Sequence, residues 1–385
     1  PTMAPRMAAA EAPIKIGIVT TLSGPSAAIG RDDVDGLNLA LDHMNHSIAG
    51  HPVELVIEDD AASPELGRQK AEKLARDPDI SIVAGFVWTN VLLAARKPVL
   101  DAGKILFSVN AGPSELAGKQ CNPNFISIRS QTDVAPMESG NLLNQIGVKK
   151  VFVLAPNYSA AKDVITGMKR TYKGEIAGQA LTKWGEDPQL DFSAELANVK
   201  ASGADAIYAF FPGRPGAAFA RQFDQSDLVG KVKLVTIWTL DQLSLPQLQA
   251  AHVNSILGSV TLQFWVQDLD FPANKVFVHD FEAKYGRIPS DYAAQPYDMM
   301  LAIKAAIEHS GGDPHDVKKI AAELHKADYE SIRGPFRYGA NGMPINPYYQ
   351  EKVVALPDGT WTMATVSKVS HGIEDPFLKD CPLAH

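Results

Sequence analysis

Cysteine is almost missing from this chain: among 385 residues only Cys121 and Cys381 occur. Without a C-x-x-C pair there is neither a thiolate metal box nor a dithiol redox motif. The even count fits one disulfide in an oxidising compartment or two buried free thiols. An excess of positive charge is missing too. Lys and Arg total 36 against 44 Asp and Glu, a formal charge of −8 at pH 7, which argues against nucleic acid as a partner. Long apolar runs are absent. The richest stretch, Ile256–Val266, is interrupted by Ser259, Thr261 and Gln263 and falls short of the roughly 18 residues that span a bilayer. Catalytic signatures are lacking as well: there is no Gly-x-Ser-x-Gly, no phosphate-cradling Walker loop and no Gly-x-Gly-x-x-Gly after a strand. At the first strand–helix turn, Leu22–Gly30, the glycines Gly24 and Gly30 have the wrong spacing for a dinucleotide. Neither an enzyme nor a cofactor is expected. His43 and His46 share a helical i, i+3 spacing with His51 nearby, but no Glu or Cys completes a ligand set, so the reading is a solvated helix end and no metal site.

What is present is an ordinary globular composition, 45% hydrophobic and 21% charged. At about 150 residues per domain, the length suggests two or three domains. The leading Pro1–Pro13 is Ala/Pro-rich and reads as a disordered lead-in. From Ile14, short apolar runs (Ile14–Thr20, Val53–Ile57, Ser81–Val83, Ile105–Val109) alternate with helical patterns. The rhythm restarts with Lys150–Leu154, Gly178–Leu181, Ala206–Phe210 and Lys233–Ile237. Such alternation indicates βαβ units and parallel sheets covered on both faces. The fold class is α/β, with two Rossmann-like lobes. Residues 255–265 read as a strand that returns the chain to the first lobe, helices near Ala273–Tyr285 and Tyr292–His309 complete that lobe, and Glu351–Ala355 is one late strand.

Open α/β sheets bind ligands beyond the carboxyl ends of their strands. Six loops occupy those places: Ser23–Gly30, Phe86–Asn90, Asn110–Pro113, Asn157–Lys162, Phe211–Arg214 and Trp238–Asp241. They mix small polar groups with the rings of Trp88, Tyr158, Phe211 and Trp238, the composition of a small-molecule cleft. Any one ring could equally fill core space beside a strand end.

The run Ile14-Lys-Ile-Gly-Ile-Val-Thr-Thr-Leu-Ser-Gly-Pro25, with Ile57-Glu-Asp-Asp60, Pro64–Leu74 and Ile82-Val-Ala-Gly85, resembles type I periplasmic substrate-binding proteins. The nearest branch is the leucine/isoleucine/valine-binding one that serves ABC importers. The resemblance continues through Gly103–Leu116, Tyr297-Asp298 and Gly334-Pro335-Phe336, so it runs from residue 14 to about 370. It implies a periplasmic, non-enzymatic, monomeric receptor whose two lobes close on one small molecule, partnered by a membrane permease and an ATPase. It also implies a three-stranded hinge, with crossings near Ser127–Thr132, Ser259–Gln263 and Phe336–Met343. Lobe 1 then comprises residues 14–130 and 262–336, lobe 2 comprises 131–261 and 337–370, and 371–385 form a tail.

Carried over one position at a time, the resemblance gives Thr89 a hydroxyl and amide for a ligand carboxylate. Asn110 takes a place where a backbone carbonyl meets an ammonium. Gly112 replaces a threonine, losing a hydroxyl and freeing space. Tyr158 matches a second-lobe tyrosine, and Ile29 replaces an aromatic residue of the loop that holds Ser23. Ala111, Phe211, Arg214, Trp238 and Asp241 complete the expected binding set, Asp241 suiting an ammonium and Arg214 a second carboxylate. Trp88 stands where amino-acid binders often carry a cysteine. The ring-rich loops are similar to those of family members adapted to benzoate- or cinnamate-like acids, so the expected ligand is a small aromatic carboxylate. A branched-chain or other amino acid is the alternative, and a cytoplasmic amide sensor a third reading. Cys121, in a polar loop, and Cys381, in a tail with little else to hold it, are expected to form a disulfide.

Overall fold

A computed structural model describes residues 12–385. The expected lead-in therefore lies outside the described residues, except for Ala12 and Pro13. Strands β1 (Ile14–Thr20), β2 (Ser47–Ile48), β3 (His51–Asp59), β4 (Ile80–Gly85), β5 (Ile105–Ser108) and β6 (Phe125–Ser127) form one sheet in the order β2-β3-β1-β4-β5-β6. All its pairings are parallel except the β2–β3 hairpin. Strands β4, β5 and β6 are buried along their whole length, as expected of parallel strands with helices on both faces.

The second sheet is built the same way from β7 (Lys150–Pro156), β8 (Glu175–Thr182), β9 (Ala206–Ala209), β10 (Lys233–Thr236) and β11 (Val260–Gln263), all parallel. Two further strands, β12 (Arg337–Tyr338) and β13 (Pro344–Ile345), make a small hairpin. The antiparallel strands β14 (Tyr348–Ala355) and β15 (Trp361–Ser370) then extend the second sheet beyond β11. Two expectations change here. The strand expected within 255–265 to return the chain to the first lobe is an internal strand of the second sheet, and the return follows it. The late strand has a partner, β15, whose alternating Trp-Thr-Met-Ala-Thr-Val-Ser-Lys-Val-Ser pattern marks a half-exposed antiparallel strand.

After β11 the helices Pro272–Tyr285 and Asp291–His309 pack on the helix Ala27–His43 beside the first sheet. Gly36 permits this approach: a Cβ there would lie 2.1 Å from the Ala293 carbonyl oxygen. His43 and His46 are not gathered into a metal site. His43 is held by the Tyr297 hydroxyl at 2.8 Å and Asp280 at 3.0 Å, and His46 lies 3.2 Å from Asp42. The tail after β15 is stapled by a Cys121–Cys381 disulfide, with Cα atoms 5.6 Å apart.

Candidate functional site

In each sheet the strand order reverses once among the parallel strands, between β1 and β4 in the first and between β7 and β9 in the second. Such switch points open a crevice at the carboxyl ends of the strands, and here the two crevices face each other. A small, tightly closed crevice lies between them. Val87, Trp88 and Thr89 reach it from the turn after β4, and Asn110 from the turn after β5. Tyr158 and Ala160 enter after β7, Phe210 and Pro212 after β9, and Trp238 after β10. Arg129 and Thr132 come from the passage between the sheets, and Tyr292 from the start of the helix Asp291–His309.

The rings form a continuous box. Trp88 meets Tyr158 edge-on at 5.9 Å and Trp184 at 5.6 Å; Tyr158 stacks on Trp184 at 5.0 Å and on Phe210 at 5.9 Å. Phe210 meets Trp238 edge-on at 5.7 Å. Trp88 is anchored by its indole N–H, which donates to the Thr21 hydroxyl at 2.8 Å. Trp238 has φ of 48° and Phe86 φ of 70°. Left-handed backbone at bulky residues costs about 1–3 kcal/mol and persists only where the surroundings fix it. At Trp238 the fixing groups are Phe210 and Arg129, whose guanidinium carbon lies 4.5 Å from the indole centroid.

Arg129 is the cation of the site. Its side chain is only 4% exposed, and Nη2 donates to Asp291 Oδ2 at 2.7 Å. That carboxylate also accepts from Gln263 at 2.9 Å and Gln295 at 3.2 Å. Burial pushes the Asp291 carboxyl up while Arg129 pulls it down. The Arg129 Nε is buried with no hydrogen-bond partner. Three helices begin around the cavity, Thr89–Asp101, Ser159–Thr171 and Arg214–Asp224, and none has a side-chain cap on its first-turn amides. Uncapped helix starts together with a buried guanidinium favour an anion. Burial pushes the Tyr158 and Tyr292 hydroxyls up, so both stay neutral.

Of the expected binding residues, Trp88, Thr89, Asn110, Tyr158 and Trp238 meet at this cavity; the others do not line it. Phe211 points away and packs on Phe192 at 4.9 Å and Phe219 at 5.4 Å. Its neighbour Phe210 takes the cavity place, because successive residues of an extended chain face opposite sides. Gly112 frees no space. A Cβ there would lie 2.5 Å from the Ser130 carbonyl oxygen, so the glycine lets the inter-sheet passage run close by. Ala111 is buried in the first-lobe core, its carbonyl accepting from Ser108 at 2.7 Å. Ile29 is likewise buried, 3.3 Å from where a Cβ on Gly213 would stand. Ser23 is exposed and bonds to Asp59, and Arg214 is exposed at its helix start, too wet to grip a buried carboxylate. Asp241 accepts from the Ser244 amide at 2.7 Å, an acid committed to a turn rather than to an ammonium.

Sequence reasoning missed Arg129, Thr132, Phe210 and Tyr292. Arg129 stands just past the end of β6, the same kind of position as the other loops, inside the stretch that the resemblance marks as a hinge crossing. Tyr292 follows no strand and leaves no local signal.

The sequence profile described as Periplasmic binding protein matches residues 13–359. Leu/Ile/Val-binding protein homolog 6 of Brucella abortus is 25% identical over 362 residues, spanning 90% of this chain and 89% of the relative. Two solved structures share the fold. A solute-binding protein of an ABC transporter from R. palustris, in complex with benzoate, superposes with a TM-score of 0.87 at 24% identity, covering 96% of this chain and 99% of that one. Another from Rhodopseudomonas palustris BisB5, in complex with 3,4-dihydroxy benzoic acid, gives 0.86 at 23% identity, covering 95% and 99%.

Proposed function

Because this chain belongs to the periplasmic binding protein family, we propose that it is a periplasmic receptor closing on a small aromatic carboxylate, benzoate- or cinnamate-like, for delivery to the permease and ATPase of an ABC importer. The observation that carries this reading is Arg129: a buried guanidinium, its Nε unpartnered, at a cavity walled by aromatic rings. A carboxylate supplies the missing acceptor, and a flat ring gains about 0.5–1.5 kcal/mol from aromatic contact beyond area burial. Thr89 and the uncapped helix start it opens add N–H donors. We take lobe 1 as residues 14–130 with 262–336 and lobe 2 as 131–261 with 337–370, with 371–385 as the tail; the division of strands between the two sheets supports this except at Leu262 and Gln263, which end β11 of the second sheet. The receptor acts as a monomer in this reading.

The named relative favours a second reading, a branched-chain amino acid. Against it, no Asp or Glu lines the cavity among the described residues, so an ammonium would lack a countercharge. Calorimetry with benzoate, cinnamate and leucine separates the two. Micromolar binding of an aromatic acid is expected. Arg129→Lys keeps the charge beside Asp291 but loses the planar fork, and should weaken that binding about tenfold or more. Micromolar leucine binding with no response to any aromatic acid would overturn the proposal.

A further inference from the structure

We infer that the acid held in this cavity carries a ring hydroxyl, and that Asn110 is the residue that selects for it; the inference rests on the aromatic-carboxylate reading above. The amide orientation is fixed by its partner. Asn110 Nδ2 donates to the Val87 carbonyl at 2.7 Å, a contact only the NH₂ end can make. Oδ1 is thereby left as the free end, and it is buried without a hydrogen-bond partner. Thr132 has the same polarity. Its hydroxyl proton goes to the Gly112 carbonyl at 2.8 Å, so its oxygen can only accept from a ligand.

The cavity thus holds two kinds of unmet need. Arg129 Nε and the uncapped amides near Thr89 require an acceptor, which a carboxylate provides. Asn110 Oδ1 requires a donor, and Thr132 Oγ1, already bonded through its proton, can accept a further one. Benzoate offers acceptors and C–H groups only, so it would leave Asn110 Oδ1 buried and unpaired, which is costly. An ammonium would also donate, but it brings a full charge beside Arg129 with no carboxylate among the described lining residues. A neutral hydroxyl meets the need without a countercharge. A site built to hydrogen-bond a hydroxyl rejects the analogue lacking it much more strongly than an apolar pocket rejects a size change.

The test is calorimetry on the full chain with benzoate, 3- and 4-hydroxybenzoate, the corresponding methoxybenzoates, and cinnamate against 4-hydroxycinnamate. At least one hydroxy acid should bind about tenfold tighter than both its unsubstituted parent and its methoxy analogue, the size of one buried hydrogen bond. In Asn110→Ala that ratio should fall toward one. An advantage retained in the variant would overturn the role of Asn110. Parent acids binding as tightly as every hydroxy acid in the unaltered protein would overturn the inference without any variant, and would leave the aromatic-carboxylate reading standing. No binding by any aromatic acid would sink both.

Discussion

Arg129 and Asp241 show how differently two buried charges can be treated. Arg129 is answered by Asp291, and the Trp238 face lies against it. Removing either member of such a pair strands the other, at about 3–5 kcal/mol, so the arginine is tied to the fold as well as to the ligand. Asp241 pairs with no cation among the described residues. Burial pushes its carboxyl up to about 7, helped by the negative Asp291 and Asp32, against the pull of Ser244. The folded protein therefore holds a proton there that the unfolded chain releases near its ordinary carboxylate value. Stability from this group is complete below about pH 4 and is lost as pH rises toward 7, at no more than about 1.4 kcal/mol per pH unit. Asp241→Asn keeps the acceptor for the Ser244 amide and removes the titration. Denaturant unfolding between pH 4 and 8 should show a flatter pH dependence for the variant and higher stability than the unaltered protein at pH 8. An unchanged slope would mean that the proton resides elsewhere.

At the level of elements, function is set by where strands stop. The chain leaves β9 still extended, so Phe210 faces the aromatic box and Phe211 the core formed with Phe192 and Phe219. A one-residue error in reading such a terminus exchanges a ligand contact for a core contact. The two phenylalanines should separate cleanly in experiment. Phe211→Ala opens a cavity beneath the second sheet and should cost about 3–5 kcal/mol of stability. Phe210→Ala removes a ring stacked on Tyr158 at the cavity wall, and should lower aromatic-acid affinity with the smaller stability loss. Thermal melts and calorimetry on both variants check this; reversed effects would put the site on the other face of the chain.

At the scale of the whole molecule, contacts beyond the aromatic box join its two halves across the cleft. The Ser114 amide and hydroxyl donate to Asp163 at 3.1 and 3.0 Å, joining the short helix Ser114–Ala117 beside the first sheet to a helix of the second. Burial and the neighbouring Asp133 push Asp163 up to about 6. The tail adds a strap. It leaves β15 of the second sheet, Asp375 accepts from Asn341 at 2.8 Å, Phe377 lies 5.4 Å from the Arg170 guanidinium, and Cys381 is bonded to Cys121 beside the first sheet. A disulfide closing 260 residues restricts the unfolded chain strongly, and native disulfides commonly contribute about 2–4 kcal/mol. Reduction should lower the unfolding free energy by that amount, read as a lower denaturant midpoint, and Cys121→Ser with Cys381→Ser should match it. An unchanged midpoint would mean the disulfide adds nothing to stability.

Three properties were set by the sequence itself. Alternating apolar runs and helices dictate two parallel-sheet units, because a strand buried on both faces must be apolar throughout. The strand-end loops that carry Trp88, Thr89, Asn110, Tyr158 and Trp238 follow from the same rule. The isolated positions of Cys121 and Cys381 were enough to expect the staple. Only the tertiary structure could decide which ring at a strand end faces the cavity, since alternation reverses with a single residue. Only it could show that Gly112 serves a close backbone passage and that Asp241 is already bonded. It alone brings Arg129, Asp291 and Tyr292 to one place. Their meeting depends on how the chain passes between the two sheets and on the helix packed against Gly36, a long-range geometry that no local pattern encodes.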